Sequence, residues 1–263
     1  MFRSLYTAAT GMTAQQTNLD NVANNLANAS TAGFRKRRVQ FQDLLYQNLI
    51  VPGSAATQQT TVAAGLQVGL GTRSAATEII QSQGDFSQTG NPLDLTIGGQ
   101  GFFQVKLASG ETAYTRSGAF HLDSQGSLVT ADGDALEPAI TIPQDATAIS
   151  IGADGTVTVT QPGQTQAQQV GQIQLAMFPN PGGLNSVGKS LFLATTASGD
   201  AIVGTPGGAE GLGALQQGVL EQSNVNVVEE FIQMILAQRS YEANSRVVRA
   251  ADEMFQDVNT MTR

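Results

Sequence analysis

Apolar residues recur at helical spacing near both ends of this chain and at a spacing of two through its middle, and no single element satisfies both periods. The chain must therefore fold as helical ends around a β-rich centre. From Ser4 to Asn28 there is no Pro and only one Gly, and Leu5, Met12, Leu19 and Leu26 repeat every seven residues. That repeat has the spacing of a coiled-coil seam, although a thin one. Asn18, Asn21, Asn25 and Asn28 follow at steps of three and four, so a helix collects them on one face. Gly33 supplies a left-handed stop beyond them.

The other end mirrors this. Asn226 with Glu229 has the spacing of a capping box, and Val227 to Arg263 contains neither Pro nor Gly. At 1.5 Å per residue such a helix is about 55 Å long. Its first apolar stripe is Val228, Phe231, Ile232 and Ile235; a later one is Val247, Ala251, Met254, Val258 and Met261. The two stripes do not share one register through Arg239, which predicts a stutter or a change of partner there.

Between the ends, period two takes over at Leu93, Leu95 and Ile97, at Phe103, Val105 and Leu107, at Ile149 and Ile151, at Val157 and Val159, and at Ile173, Leu175 and Met177. The breaks carry turn chemistry: Ser109-Gly110, Asp123 to Gly126, Asp132-Gly133, Asp154-Gly155 and Pro181 to Gly183. With no helical stretch to serve as a crossover, the strands should be antiparallel. Two Gly-, Ser-, Thr- and Gln-rich segments, Pro52 to Thr77 and Ala197 to Gly218, read as extended connectors. The expected class is α+β, with paired coiled-coil helices flanking an antiparallel β domain: 1–33 as first helix, 34–80 as connector, 81–215 as β domain and 216–263 as second helix.

Several function classes fall away on composition. Only 13% of residues are charged, against roughly 25% in typical soluble domains, so much of the surface is expected to be covered by partners. A net charge of -8 argues against nucleic acid, which needs an excess of Lys and Arg. The one basic run, Arg35 to Arg38, reads as a solvated or subunit-facing turn. The absence of cysteine removes disulfides, thiolate metal sites and cysteine nucleophiles. No stretch resembles a secretory h-region or a membrane span, so neither a cleavable signal nor membrane insertion is expected.

Gly183 to Ser190 spells the phosphate-binding loop G-x-x-x-x-G-K-S. Its chemistry needs a helix aimed at the phosphates, yet Leu191 to Thr196 is strand-like, which predicts a hairpin loop instead. Asp132-Gly133-Asp134 lacks the ligand spacing of a calcium loop. The single histidine, His121, sits between Phe120 and Leu122 in a strand pattern and leaves no multi-histidine site. No cofactor, metal or catalytic residue is expected.

Three ordered stretches carry a resemblance: Asn21 to Phe34 (NVANNLANASTAGF), Leu93 to Val105 (LDLTIGGQGFFQV) with Tyr114 to Phe120 (YTRSGAF), and Ser223 to Asn244 (SNVNVVEEFIQMILAQRSYEAN). Together they resemble the flagellar rod and hook family over nearly the whole chain, and Gln42 to Arg73 is similar to its rod members. The resemblance implies a non-enzymatic subunit, exported through the type III apparatus, that polymerises helically into a hollow shaft crossing the periplasm and carrying torque. It implies other rod subunits, hook subunits and basal-body ring proteins as partners, and a wet central channel that the Asn- and Gln-rich helix faces would line. It places the assembly interface on Leu5, Met12, Leu19, Asn21, Asn25, Leu26, Asn28, Asn224, Asn226, Val228, Glu229, Ile232, Ile235, Arg239 and Tyr241. Ser54 to Gly71, with Thr57, Gln58, Gln59, Thr60 and Thr61, would stiffen the shaft by pairing along an extended edge. The competing classes are a secreted β-domain binding module and a nucleotide hydrolase.

Overall fold

The computed structural model describes residues 2–53, 55–57, 60–61, 63–163, 166–208 and 211–261. Helices at the two ends flank a β-rich centre, so the class is α+β as the two periodicities require. The chain divides into two compact units. One comprises Met1–Ala27, Arg37–Ile79 and Asn226–Arg263; the other comprises Asn28–Lys36 and Ile80–Val225.

In the first unit, helix α1 (Phe2–Ala27) packs along helix α2 (Val227–Met261). The Phe2 and Phe255 rings lie 5.2 Å apart, Gly11 faces the Asn244 side chain, and Asn25 reaches Glu230 at 3.1 Å. One partner's number falls as the other's rises, so the helices run antiparallel. Asn226 begins α2 as anticipated: its Oδ1 accepts the Val228 and Glu229 amides at 3.0 and 3.4 Å. Such a cap contributes about 1 kcal/mol by satisfying amides that the first helical turn leaves open.

The segment expected to run as an extended connector folds back on itself. Arg37–Asp43 pairs antiparallel with Thr72–Ile79, Tyr46–Ile50 with Leu66–Gly69, and Ala55–Thr57 with Thr60–Thr61. The base of this hairpin packs on α1 with Val39 and Ile79 buried. Pairing meets the backbone's demand for hydrogen bonds, which a lone extended strand leaves to solvent. Gly65 shows how close the strands come, since a β-carbon there would stand 2.5 Å from the Ile50 carbonyl oxygen. Ser54, Gln58 and Gln59 of the anticipated pairing edge lie outside the described residues.

In the second unit the strong ladders are antiparallel. Phe102–Lys106 is central, pairing with Thr112–Thr115, Ala135–Glu137 and Leu175–Met177. Thr156–Thr160 alternates buried and half-buried residues in a three-stranded sheet with Ala148–Ile151 and Gln168–Gln172. The period-two residues form its core: Leu95, Ile97, Phe103, Val105, Val157, Val159, Ile173 and Leu175 are fully buried. The second expected connector contributes strands of its own, Ile202–Gly204 and Ala214–Gln217. The anticipated turns at Gly110, Gly126, Gly133 and Gly155 all have positive φ.

The phosphate-loop lookalike is a hairpin. Asn185–Gly188 pairs with Leu191–Leu193, and Lys189 and Ser190 make the two-residue turn with φ of 55° and 58°. Side chains in that left-handed region cost about 1–2 kcal/mol each, whereas Asn-Gly adopts such a turn readily. The Lys189–Asp132 ion pair at 3.2 Å is solvent-exposed, so it offsets at most about 1 kcal/mol. Lys189→Asn with Ser190→Gly should therefore raise stability by about 1 kcal/mol in urea denaturation; an unchanged or lowered midpoint would contradict the strain.

Candidate assembly interface

Each terminal helix has to choose which side to bury. On α1 the residues buried fully are Ala8, Ala14, Val22 and Asn25, while Leu5, Met12, Leu19 and Leu26 are half-buried. At 100° per residue the leucine-methionine stripe lies roughly a quarter-turn from the centre of the buried face. Gly11 lies near that centre, where a β-carbon would meet Asn244 Nδ2 of the facing helix at 2.8 Å.

On α2 the inward positions are Glu230, Ala237, half-buried Asn244 and Ala251, seven residues apart. Val228, Ile232 and Ile235 point about half a turn away from them. They are 67%, 52% and 55% exposed, with Phe231 at 48% and Leu236 at 55% beside them. Among the described residues, the strongest apolar stripe of the helix is thus left largely exposed. Beyond Arg239, Ala251 of the later stripe turns inward, while Val247, Met254, Val258 and Met261 remain exposed. Asn226, Glu229, Arg239 and Tyr241 are exposed as well. Arg239 pairs with Glu242 at 3.1 Å on the surface, a contact worth a few tenths of a kcal/mol.

The asparagines serve the interior of this unit. Asn21 donates to the Arg37 carbonyl at 2.7 Å. Asn25, 1% exposed, donates to the same carbonyl at 2.9 Å and accepts the Arg37 amide at 3.0 Å. These bonds tie the base of the hairpin to α1. The expectation that this face lines a wet channel fails for Asn25, because its polar atoms are consumed by backbone and by Glu230.

In the second unit, Asn28 holds a turn through its carbonyl, which accepts the Thr31 amide at 3.1 Å. Asn224 accepts the Lys36 amide at 2.7 Å and donates to the Ile80 and Ser82 carbonyls, both at 2.9 Å. Next to it stands a site that periodicity did not reveal. Glu221, 2% exposed, pairs with Arg35 at 2.8 Å and with Arg116 at 2.7 Å, and accepts the Gly84 amide at 2.9 Å. Arg116 also donates to the carbonyls of Ile97, Gly99 and Gly101. Arg35 is therefore no solvated turn residue; it is 4% exposed. Burial pulls its guanidinium below the ordinary arginine value, Glu221 opposes that, and Arg116 adds to it. The carboxylate joins residues separated by more than a hundred positions, so local spacing carries no trace of it.

Gly33 completes this arrangement. Its amide donates to the Glu221 carbonyl at 2.9 Å, and a β-carbon would stand 2.5 Å from the Ser117 amide nitrogen. The left-handed φ expected at this glycine is present, at +68°. Among the described residues no group of three His, Cys, Asp or Glu side chains is placed to hold a metal, and no helix is long and apolar enough to cross a membrane.

Three segments match protein families. Residues 5–35 match the flagella basal body rod protein family, 96–159 the flagellar hook protein FlgE/F/G D1 domain, and 216–261 the flagellar basal body rod FlgEFG protein C-terminal family. The flagellar basal-body rod protein FlgG of Caulobacter vibrioides is 49% identical, the alignment covering 97% of each chain. FlgG of Buchnera aphidicola subsp. Schizaphis graminum is 46% identical over 99% of this chain and all of its own. FlgG of Bacillus subtilis is 41% identical over the full length of both.

The buried carboxylate makes a direct test of the second unit. Glu221→Gln keeps the shape but leaves Arg35 and Arg116 without their counter-charge, and breaking a buried pair in this way costs about 3–5 kcal/mol. Chemical denaturation followed by β-sheet circular dichroism should show that loss. A change under about 1 kcal/mol would mean that the two guanidinium groups are compensated elsewhere.

Proposed function

The chain belongs to the flagellar basal-body rod protein family, and on that premise we propose that it is the distal-rod subunit, polymerising helically into a hollow shaft that transmits torque from motor to hook. As a family member it is a structural component of the basal body. The single observation that supports polymerisation is the open apolar face of α2. One side of the helix is occupied by α1, and the opposite side presents Val228, Phe231, Ile232, Ile235 and Leu236 to solvent.

Covering these exposed side chains contributes on the order of 1 kcal/mol each. The occupant that fits is another copy's terminal helices, because the open stripe at Val228, Ile232 and Ile235 has the four-and-three spacing of a helix-packing seam. A contact between unlike faces of successive copies propagates as a helix where its rotation does not close into a ring. The shaft would span the periplasm, meeting other rod subunits, hook subunits and ring proteins, with the subunits delivered by the type III export apparatus. The hook-protein match at 96–159 favours a second reading, a hook subunit. Full-length relatives carrying the rod name weigh against it.

The hairpin supplies the stiffness. Along its outer part Leu45, Tyr46, Leu49, Ile50, Val51 and Leu66 are exposed, and paired strands present polar edges that a neighbouring subunit can extend. A strand pair bound to the next subunit resists the sliding that bending requires.

Two experiments test this function. Val228→Asp and Ile235→Asp lie on the surface of the free subunit, so each should shift its stability by no more than about 0.5 kcal/mol while abolishing filaments in electron micrographs, since an unpaired buried carboxylate costs several kcal/mol. Filaments from either variant would place the contact on another face. Deleting 54–71 should leave polymerisation intact and yield shafts that curve; straight shafts would assign stiffness to the helices or the β-rich unit.

A further inference from the structure

We propose that Asp132 is a modification site, where the chain rearranges to isoaspartate without an enzyme, and that Asp154, in a turn of the same pattern, is shielded from this reaction. The sequence holds two Asp-Gly steps, Asp132-Gly133 and Asp154-Gly155. Such a step is reactive because the glycine nitrogen, with no side chain beside it, can reach the preceding aspartate Cγ. The nitrogen gives up its proton and bonds to Cγ, the protonated carboxyl gives up its hydroxyl, and the two leave together as water. A second water then opens the succinimide ring. Attack at Cγ restores aspartate, whereas attack at the main-chain carbonyl routes the backbone through the former side chain. One water leaves and one returns, so the chain needs no oxidant, reductant or other co-reactant.

The two turns match in their backbones. Gly133 donates to the Thr130 carbonyl and Gly155 to the Gly152 carbonyl, each at 3.0 Å, with φ of 89° and 81°. Their surroundings differ. Gly133 is exposed, and a β-carbon on it would meet nothing within 4 Å. Gly155 is buried, and a β-carbon there would stand 2.5 Å from the Ile173 carbonyl oxygen. The Gly155 carbonyl also accepts the Ile173 amide at 2.8 Å, so its peptide cannot turn without breaking into a neighbouring strand. The carboxylates differ as well. Asp154 accepts the Thr156 hydroxyl at 2.8 Å and the Thr156 amide at 3.1 Å, which fixes it within its own turn. Those bonds hold its carboxyl below the ordinary aspartate value, and the ionised form gives up an oxygen poorly. Asp132 meets Lys189 at 3.2 Å with both side chains exposed, a pair that opens readily. Asp132 is therefore free to swing onto the Gly133 nitrogen, and water reaches the ring that forms. The product carries an extra methylene in the main chain, inside the loop that the Thr130 amide closes on the Asp134 carbonyl at 2.9 Å.

The full chain, held in neutral buffer made with heavy-oxygen water, reports the reaction by mass spectrometry. Each ring opening leaves one heavy oxygen, and fragment ions distinguish isoaspartate from aspartate. Isoaspartate should build up about ten-fold faster at position 132 than at position 154, the factor that one retained hydrogen bond supplies. In urea, where both turns are lost, the two rates should converge. Asp132→Glu, whose longer side chain closes the ring poorly, should lose the heavy oxygen at position 132 and keep the wild-type unfolding midpoint. Equal rates in the folded chain, no reaction at position 132 while the unfolded chain reacts, or a preference for position 132 that persists in urea would each overturn the proposal. All of these are read on the free subunit, so they leave the polymer untouched.

Discussion

A helix with apolar stripes on two opposite sides can bury only one of them against a single partner. In α2 the side taken by α1 is the poorer in large side chains, with Ala237 and Ala251 on it, Asn244 between them and Glu230 seven residues before. The richer side is left open. Side-chain size accounts for the choice, because small residues let two helices come together while Val, Ile and Phe would hold them further apart. The subunit satisfies its polar and small-residue contacts internally and keeps its largest apolar surface for something outside itself.

The asparagines follow the same economy. An amide side chain can donate and accept at once, and Asn25 does both, bonding the two backbone groups of Arg37 and the carboxylate of Glu230. That fixes the entry to the hairpin against α1. A helix-forming Ala or Leu at position 25 would make a better isolated helix and a worse unit. Asn224 plays a comparable part in the second unit, where one side chain closes three backbone groups. The polarity of these signatures reflects backbone satisfaction at chain crossings as much as exposure to water.

Much was legible beforehand because it depends on period and on turn chemistry. Helical ends, the Asn226 cap, the positive φ at Gly33 and the burial of Leu95, Ile97, Phe103, Val105, Val157 and Val159 all follow from residues within a few positions of one another. The strand after Lys189 could be anticipated in the same way, from β-forming residues where a nucleotide loop needs a helix. The hairpin from Arg37 to Ile79 was less legible, since its arms lack a strong alternation and most of the residues in three of its strands are exposed.

By itself the sequence determined the terminal helices and the strands of the central core, because those depend on local spacing and on the steric needs of Gly and Asn; it did not determine the strands within the two segments read as connectors. Tertiary structure alone decided which stripe of each helix turned inward, since that depends on how closely two backbones can approach. It also decided that Glu221 would gather Arg35 and Arg116 from positions 186 and 105 residues away. A charge is stable in the interior only beside its counter-charge, and the chain meets that requirement by bringing together residues whose neighbours in sequence give no sign of it.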